Sequence, residues 1–123
     1  MSAILVVDDD SVTRVVLRVM LERSGAEVVE ADSVDAARSV LADADFDLVI
    51  CDYVMPDANG LDLLEACPDL EGRFVLLTGT KERDDLGDDR VEKVSAYLTK
   101  PVGSEELSEL IAAMLGESQS SLS

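Results

Sequence analysis

Apolar residues in this chain come in short blocks separated by amphipathic stretches, and the alternation runs nearly from end to end. Ile4 to Val7, Phe46 to Cys51, Phe74 to Leu77 and Val94 to Leu98 are runs of strand length that read as buried strands. Ala26 to Ala31 is a fifth, flanked by Glu27 and Glu30, and its lower apolarity suits a sheet edge. After the first strand, Ser11 is placed to cap a helix whose apolar positions Val12, Val15, Val16, Val19 and Met20 recur at helical spacing and which ends at Ser24-Gly25. Asp32 or Ser33 caps the next, with an inner stripe of Val34, Ala37, Val40 and Leu41.

Pro56 and Asn59-Gly60 mark a loop, and a short helix with Leu61, Leu63, Leu64 and Ala66 stops before Pro68. Glu82 to Lys93 falls where a fourth helix is due, although Asp84, Asp85, Gly87, Asp88 and Asp89 are poor helix formers. Ser104 caps a last helix, with Glu105 and Glu106 at its positive end and Leu107, Leu110, Ile111 and Met114 inside.

Five strands alternating with five helices predict a flavodoxin-like, doubly wound α/β fold: a five-stranded parallel sheet, covered on both faces and joined by right-handed crossovers. The expected strand order is 2-1-3-4-5. It places the topological switch between the first and third strands, where such folds bind ligands. One domain over residues 1–116 and a polar tail over 117–123 account for the chain.

The composition narrows the function. With 47% hydrophobic and 30% charged residues and no apolar stretch of spanning length, the chain reads as a soluble cytoplasmic protein. Ten Lys plus Arg against 27 Asp plus Glu give a net charge of −17, which disfavours direct contact with nucleic acid or anionic membrane. Cys51 and Cys67 read as reduced, buried residues, and Cys51 points to the opposite face of its strand from the residue that follows it. There is no histidine, so the commonest general base and zinc ligand are missing and chemistry falls to carboxylates.

The predicted strand ends carry such chemistry. Asp8-Asp9-Asp10 follows the first strand, Asp52 the third, Thr78 the fourth and Lys100-Pro101 the fifth. Taken singly, the acids read as helix caps or turn residues, Thr78 as a capping hydroxyl and Lys100 as a solvated lysine. Converging on one sheet edge, they form a site. Several carboxylates in one crevice must take up protons unless a cation neutralises them, and among hard cations magnesium suits two or three of them better than calcium, which takes more ligands. Thr78 and Lys100 then face a tetrahedral anion, a phosphoryl group, for which Asp52 is the candidate nucleophile.

From Ala3 to about Leu115 the chain resembles the receiver domains of two-component response regulators, on the acid pair Asp8-Asp9, Asp52, Thr78 and Lys100-Pro101. The resemblance implies that Asp52 is phosphorylated, that Asp9 binds magnesium directly and Asp8 through water, and that Val54 supplies a metal-binding carbonyl. It also implies that Thr78 hydrogen-bonds the phosphoryl group and that Lys100, before a commonly cis Pro101, pairs with it. Tyr97 matches the switch aromatic, and Val54 and Thr80 occupy positions that tune the lifetime of the phosphoryl group. Phosphorylation would draw Thr78 inward and rotate Tyr97, reshaping the face built from the fourth helix, fifth strand and last helix.

The implied partners are a sensor histidine kinase or histidine phosphotransfer protein as donor and a downstream protein as target, with a homodimer left open. The chain is expected to be a stand-alone regulator or a fragment of a larger one. Its loop Met55-Pro56-Asp57-Ala58-Asn59-Gly60 lacks the commoner Met-Asp-Gly ending, and Val102 stands where Phe is frequent after Lys-Pro. Two other classes compete. The Asp8-Asp9-Asp10-Ser11 run superficially resembles the Asp-x-Asp opening of haloacid-dehalogenase-type phosphatases, but the chain is short for one and has Ser where Gly is usual. A flavodoxin-type cofactor binder would want a Ser/Thr/Gly-rich phosphate loop where three acids stand.

Overall fold

The computed structural model describes residues 2–79 and 89–115. Five parallel strands, β1 (Ala3–Val7), β2 (Glu27–Ala31), β3 (Leu48–Asp52), β4 (Phe74–Thr78) and β5 (Ala96–Thr99), form one sheet in the order β2-β1-β3-β4-β5. This is the predicted order, with the acidic β2 at an edge. Among the described residues four α-helices cross over between strands or follow them: α1 (Ser11–Arg23), α2 (Val34–Asp43), α3 (Gly60–Ala66) and α4 (Ser104–Leu115).

Strand alternation sends successive side chains to opposite faces and so divides the core in two. Leu5, Val7, Val49, Cys51, Phe74 and Leu76 meet Val34 and Ala37 of α2 and Leu61 and Leu64 of α3. Ile4, Val6, Leu48, Ile50, Val75 and Leu77 meet Leu17 and Leu21 of α1 and Leu107 and Ile111 of α4. Each such buried aliphatic side chain contributes about 1.5–3 kcal/mol relative to exposure. Because β1, β3 and β4 are covered on both sides, their continuous apolar runs are what a central parallel strand requires.

Register decides where the site lies. Val7 pairs with Cys51, Asp52 with Leu77, and Thr78 with Thr99. Asp8, Asp52, Thr78 and Lys100 are therefore the last residues of neighbouring strands or the first beyond them, all at the carboxyl edge.

Several expectations need correction. The valine repeat that signals α1 is not its buried face: Val12, Val15, Val16 and Val19 are 43–67% exposed, while Leu17 and Leu21 pack on the sheet. The cap of α1 is Asp10 rather than Ser11, which is the first helical residue. Asn59-Gly60 is a helix start, not a free turn, since Asn59 caps α3 in a reciprocal capping box with Asp62. Cys67 is the C-cap of α3 and only partly buried.

The fourth of the five expected helices, over Glu82 to Lys93, is not seen among the described residues. Its end, Asp89–Lys93, is a 3-10 helix, and residues 82–88 lie outside the described part. Correspondingly β5 runs over Ala96–Thr99 rather than from Val94, whose N–H closes that 3-10 helix by bonding to the Val91 carbonyl. The tail from residue 116 onward also lies outside the described residues, as does Thr80.

Candidate functional site

Asp8 leaves β1 fully buried, and its position is over-determined by backbone contacts. Its N–H donates to the Ala31 carbonyl at the end of β2 (3.0 Å), its carbonyl accepts from Arg14 Nη1 (2.7 Å), and its Oδ1 accepts from the Asp10 N–H (2.9 Å). Arg14 is held in turn by Glu30, Nε to Oε1 at 2.9 Å. Asp10 turns away from this edge: its carboxylate accepts from the Thr13 hydroxyl (2.7 Å) and the Val12 N–H (3.3 Å). Those two bonds, the hydroxyl first, hold its pKa below the ordinary carboxylate value.

Asp52 closes β3 and is 6% exposed. Gly60, the first residue of α3, lies against its backbone so closely that a Cβ there would be 2.5 Å from the Asp52 carbonyl oxygen. The loop between them is closed by the Gly60 N–H on the Tyr53 carbonyl (2.8 Å) and by an antiparallel bridge between Val54 and Asn59. Val54 is 62% exposed and enters the site by its backbone, with its N–H toward the Asp52 carboxylate.

Lys100 joins the two buried acids. Its Nζ lies 3.0 Å from Asp52 Oδ2, as a hydrogen bond, and 2.9 Å from Asp8 Oδ2, as an ion pair without hydrogen-bond alignment. The following peptide bond to Pro101 is cis. Burial raises the Asp52 pKa, the Asp8 charge raises it further, and Lys100 only partly offsets them. For Lys100 burial opposes the charge, but the two carboxylates outweigh it and hold the pKa above the usual lysine value.

One carboxylate oxygen each of Asp8, Asp9 and Asp52 lies within 4.8 Å of the other two, close enough to share one ion. Hard oxygen donors in that number, with one buried Asp8 oxygen that is paired with Lys100 but makes no hydrogen bond among the described residues, fit a magnesium ion. Thr78 Oγ1 at the end of β4 is likewise buried without a hydrogen-bond partner among the described residues. Tyr97 is half-buried on β5, and its hydroxyl donates to the Val91 carbonyl at 3.0 Å.

The sequence model for the response regulator receiver domain matches residues 4–112. The chain belongs to that family. Among relatives of this receiver domain, the phosphate regulon transcriptional regulatory protein PhoB of Pseudomonas aeruginosa is 30% identical over 118 residues, covering 91% of this chain and 51% of that protein. The DNA-binding transcriptional regulator NtrC of Azospirillum brasilense is 34% identical, covering 93% of this chain and 24% of that protein. The chain thus spans about half of the one and a quarter of the other. A receiver domain protein from Clostridium thermocellum has the same fold, with a TM-score of 0.82 and 28% identity over 97% of this chain and 98% of its own.

The structure brings Asp8, Asp52 and Lys100 into contact and Asp9 within reach. Sequence reasoning missed two residues that touch these groups, Arg14 on the Asp8 carbonyl and Gly60 against the Asp52 backbone, and it missed Asp57, whose carboxylate accepts from the N–H groups of Val34 and Asp35 at the start of α2. A glycine directly after a capping Asn was a usable signal for close packing. Long-range partners such as those of Arg14 and Asp57 leave no mark in local spacing.

Proposed function

We propose that Asp52 accepts a phosphoryl group from a phosphohistidine on a sensor histidine kinase or histidine phosphotransfer protein, and that the change alters affinity for a downstream protein. The observation that carries this reading is the single ammonium of Lys100 within 3.0 Å of both buried carboxylates, Asp8 and Asp52, beside an acid cluster fit for a divalent ion. An Asp52 oxygen attacks phosphorus as the histidine nitrogen–phosphorus bond breaks. The electron pair of that bond stays with the imidazole, which leaves neutral once it holds a proton.

Asp8, Asp9, Asp52 and the Val54 carbonyl would hold magnesium, which supplies positive charge to the phosphoryl oxygens. Lys100 then exchanges Asp52 for the phosphoryl group, and the Thr78 hydroxyl gains an acceptor. Tyr97 is the responding residue, since its rotation requires release of the Val91 carbonyl. Self-phosphorylation from small phosphodonors and self-dephosphorylation belong to the same chemistry, with the lifetime set in part at Val54 and Thr80. The domain acts as a switch more than as an enzyme.

Incubation with a phosphorylated histidine phosphotransfer domain tests the reading. Phosphoryl should pass to this chain with magnesium and fail to pass with a chelator or in Asp52→Asn; transfer to Asp52→Asn at the wild-type rate would overturn it.

A further inference from the structure

We infer that Asp57 is a positioning residue for this site, holding the β3–α3 loop in place through the start of α2. Its two carboxylate oxygens accept from successive backbone N–H groups, Oδ1 from Val34 at 3.2 Å and Oδ2 from Asp35 at 3.0 Å. Ser33 caps the same helix locally, through the Ala36 N–H at 3.0 Å. The first-turn donors of α2 are thus shared between a local hydroxyl and a carboxylate from another loop. Ionic hydrogen bonds at a helix N-terminus are strong, because the carboxylate also meets the positive end of the dipole.

The tether matters because of what the loop carries. Its base is closed by Gly60 on Tyr53 and by the Val54–Asn59 bridge, while Asp57 ties down its tip. Val54 lies inside this closed segment, with its N–H toward the Asp52 carboxylate. On the other side, the segment that Asp57 grips follows Ala31, whose carbonyl holds the Asp8 N–H. The β1–β3 pairing sets the spacing of the strands that carry Asp8 and Asp52, and Asp57 braces the loop that follows Asp52 against the segment beside Asp8. The inference rests on Asp52 being the phosphoacceptor.

Two variants separate positioning from helix stability. Asp57→Ala removes the tether, and Ser33→Ala removes the local cap of the same helix while leaving the tether intact. With acetyl phosphate as donor and intact mass as readout, Asp57→Ala should raise the magnesium concentration for half-maximal labelling by roughly tenfold. Asp57→Asn, which keeps one acceptor, should recover part of the loss. Ser33→Ala should label as wild type even where its thermal midpoint falls as far.

Wild-type magnesium dependence in Asp57→Ala, or an equal loss in Ser33→Ala, would overturn the inference. A wild-type chain that takes no label instead overturns the phosphoacceptor reading. The tether is then judged by magnesium titration of the Val54 and Asp52 amide resonances, which should weaken in Asp57→Ala and would be unchanged if the tether does not position the loop.

Discussion

The Lys100 ammonium lies 3.0 Å from Oδ2 of Asp52, reaching past the end of β4 to a carboxylate two strands away. It also serves Asp8, so one cation offsets two buried acids, and Asp52 is left with a raised pKa. An acid with a raised folded pKa contributes stability that is full below its unfolded pKa and is lost as pH rises through the folded value. Ionised Asp52 is therefore a cost at neutral pH. Asp52→Asn should be more stable than wild type at pH 7 by about 1 kcal/mol in urea unfolding, with the advantage shrinking as pH falls through the carboxylate range. A variant less stable at pH 7 contradicts this.

Glu30 behaves in the opposite sense. Arg18 and Arg14 pair with it at 2.6 and 2.9 Å, and the hydrogen bond from Arg18, ahead of that from Arg14, lowers its pKa. Its stabilisation is present above the unfolded glutamate pKa and disappears as pH falls through the lower folded value. Glu30→Gln should cost about 0.5–1 kcal/mol at pH 7 in low salt, less in high salt, and nothing at pH below both values. A loss independent of pH and salt would point to packing instead.

Gly60→Ala tests how closely α3 approaches the site. The added methyl meets backbone at the Asp52 carbonyl and also Leu76 Cδ1 at 3.1 Å, so relief requires moving α3 or the end of β3. A destabilisation of about 1–3 kcal/mol is expected, together with slower labelling of Asp52. Unchanged stability would mean that the helix start is free to shift.

Tyr97→Phe removes the hydroxyl bonded to the Val91 carbonyl. The expected cost is about 1 kcal/mol in chemical unfolding, with labelling by acetyl phosphate unaltered, because the ring stands outside the acid cluster. Loss of labelling would place Tyr97 in the chemistry rather than in the response to it.

The sheet order and the acid edge were legible because strand ends are punctuated: each apolar run stops at Asp8, Asp52, Thr78 or just before Lys100. The buried face of α1 was not. Its valines and its leucines, Leu17 and Leu21, both repeat at helical spacing, and periodicity cannot say which arc faces the sheet. Asp10 and Ser11 are both good caps one residue apart, and only the bonds to Val12 and Thr13 decide between them. In the acidic fourth segment, local propensity argued against an α-helix while the alternating pattern argued for one. Its described end took the 3-10 form. Asp57 looked like a loop acid because its partners lie 22 and 23 residues back in the chain.

The central claim is that Asp52 is the covalent centre. Wild type and Asp52→Asn should be incubated with magnesium and acetyl phosphate and their intact masses compared before and after hydroxylamine. One phosphoryl increment on the wild type, removed by hydroxylamine and absent from Asp52→Asn, is the expected result. An increment that persists in Asp52→Asn would contradict the account.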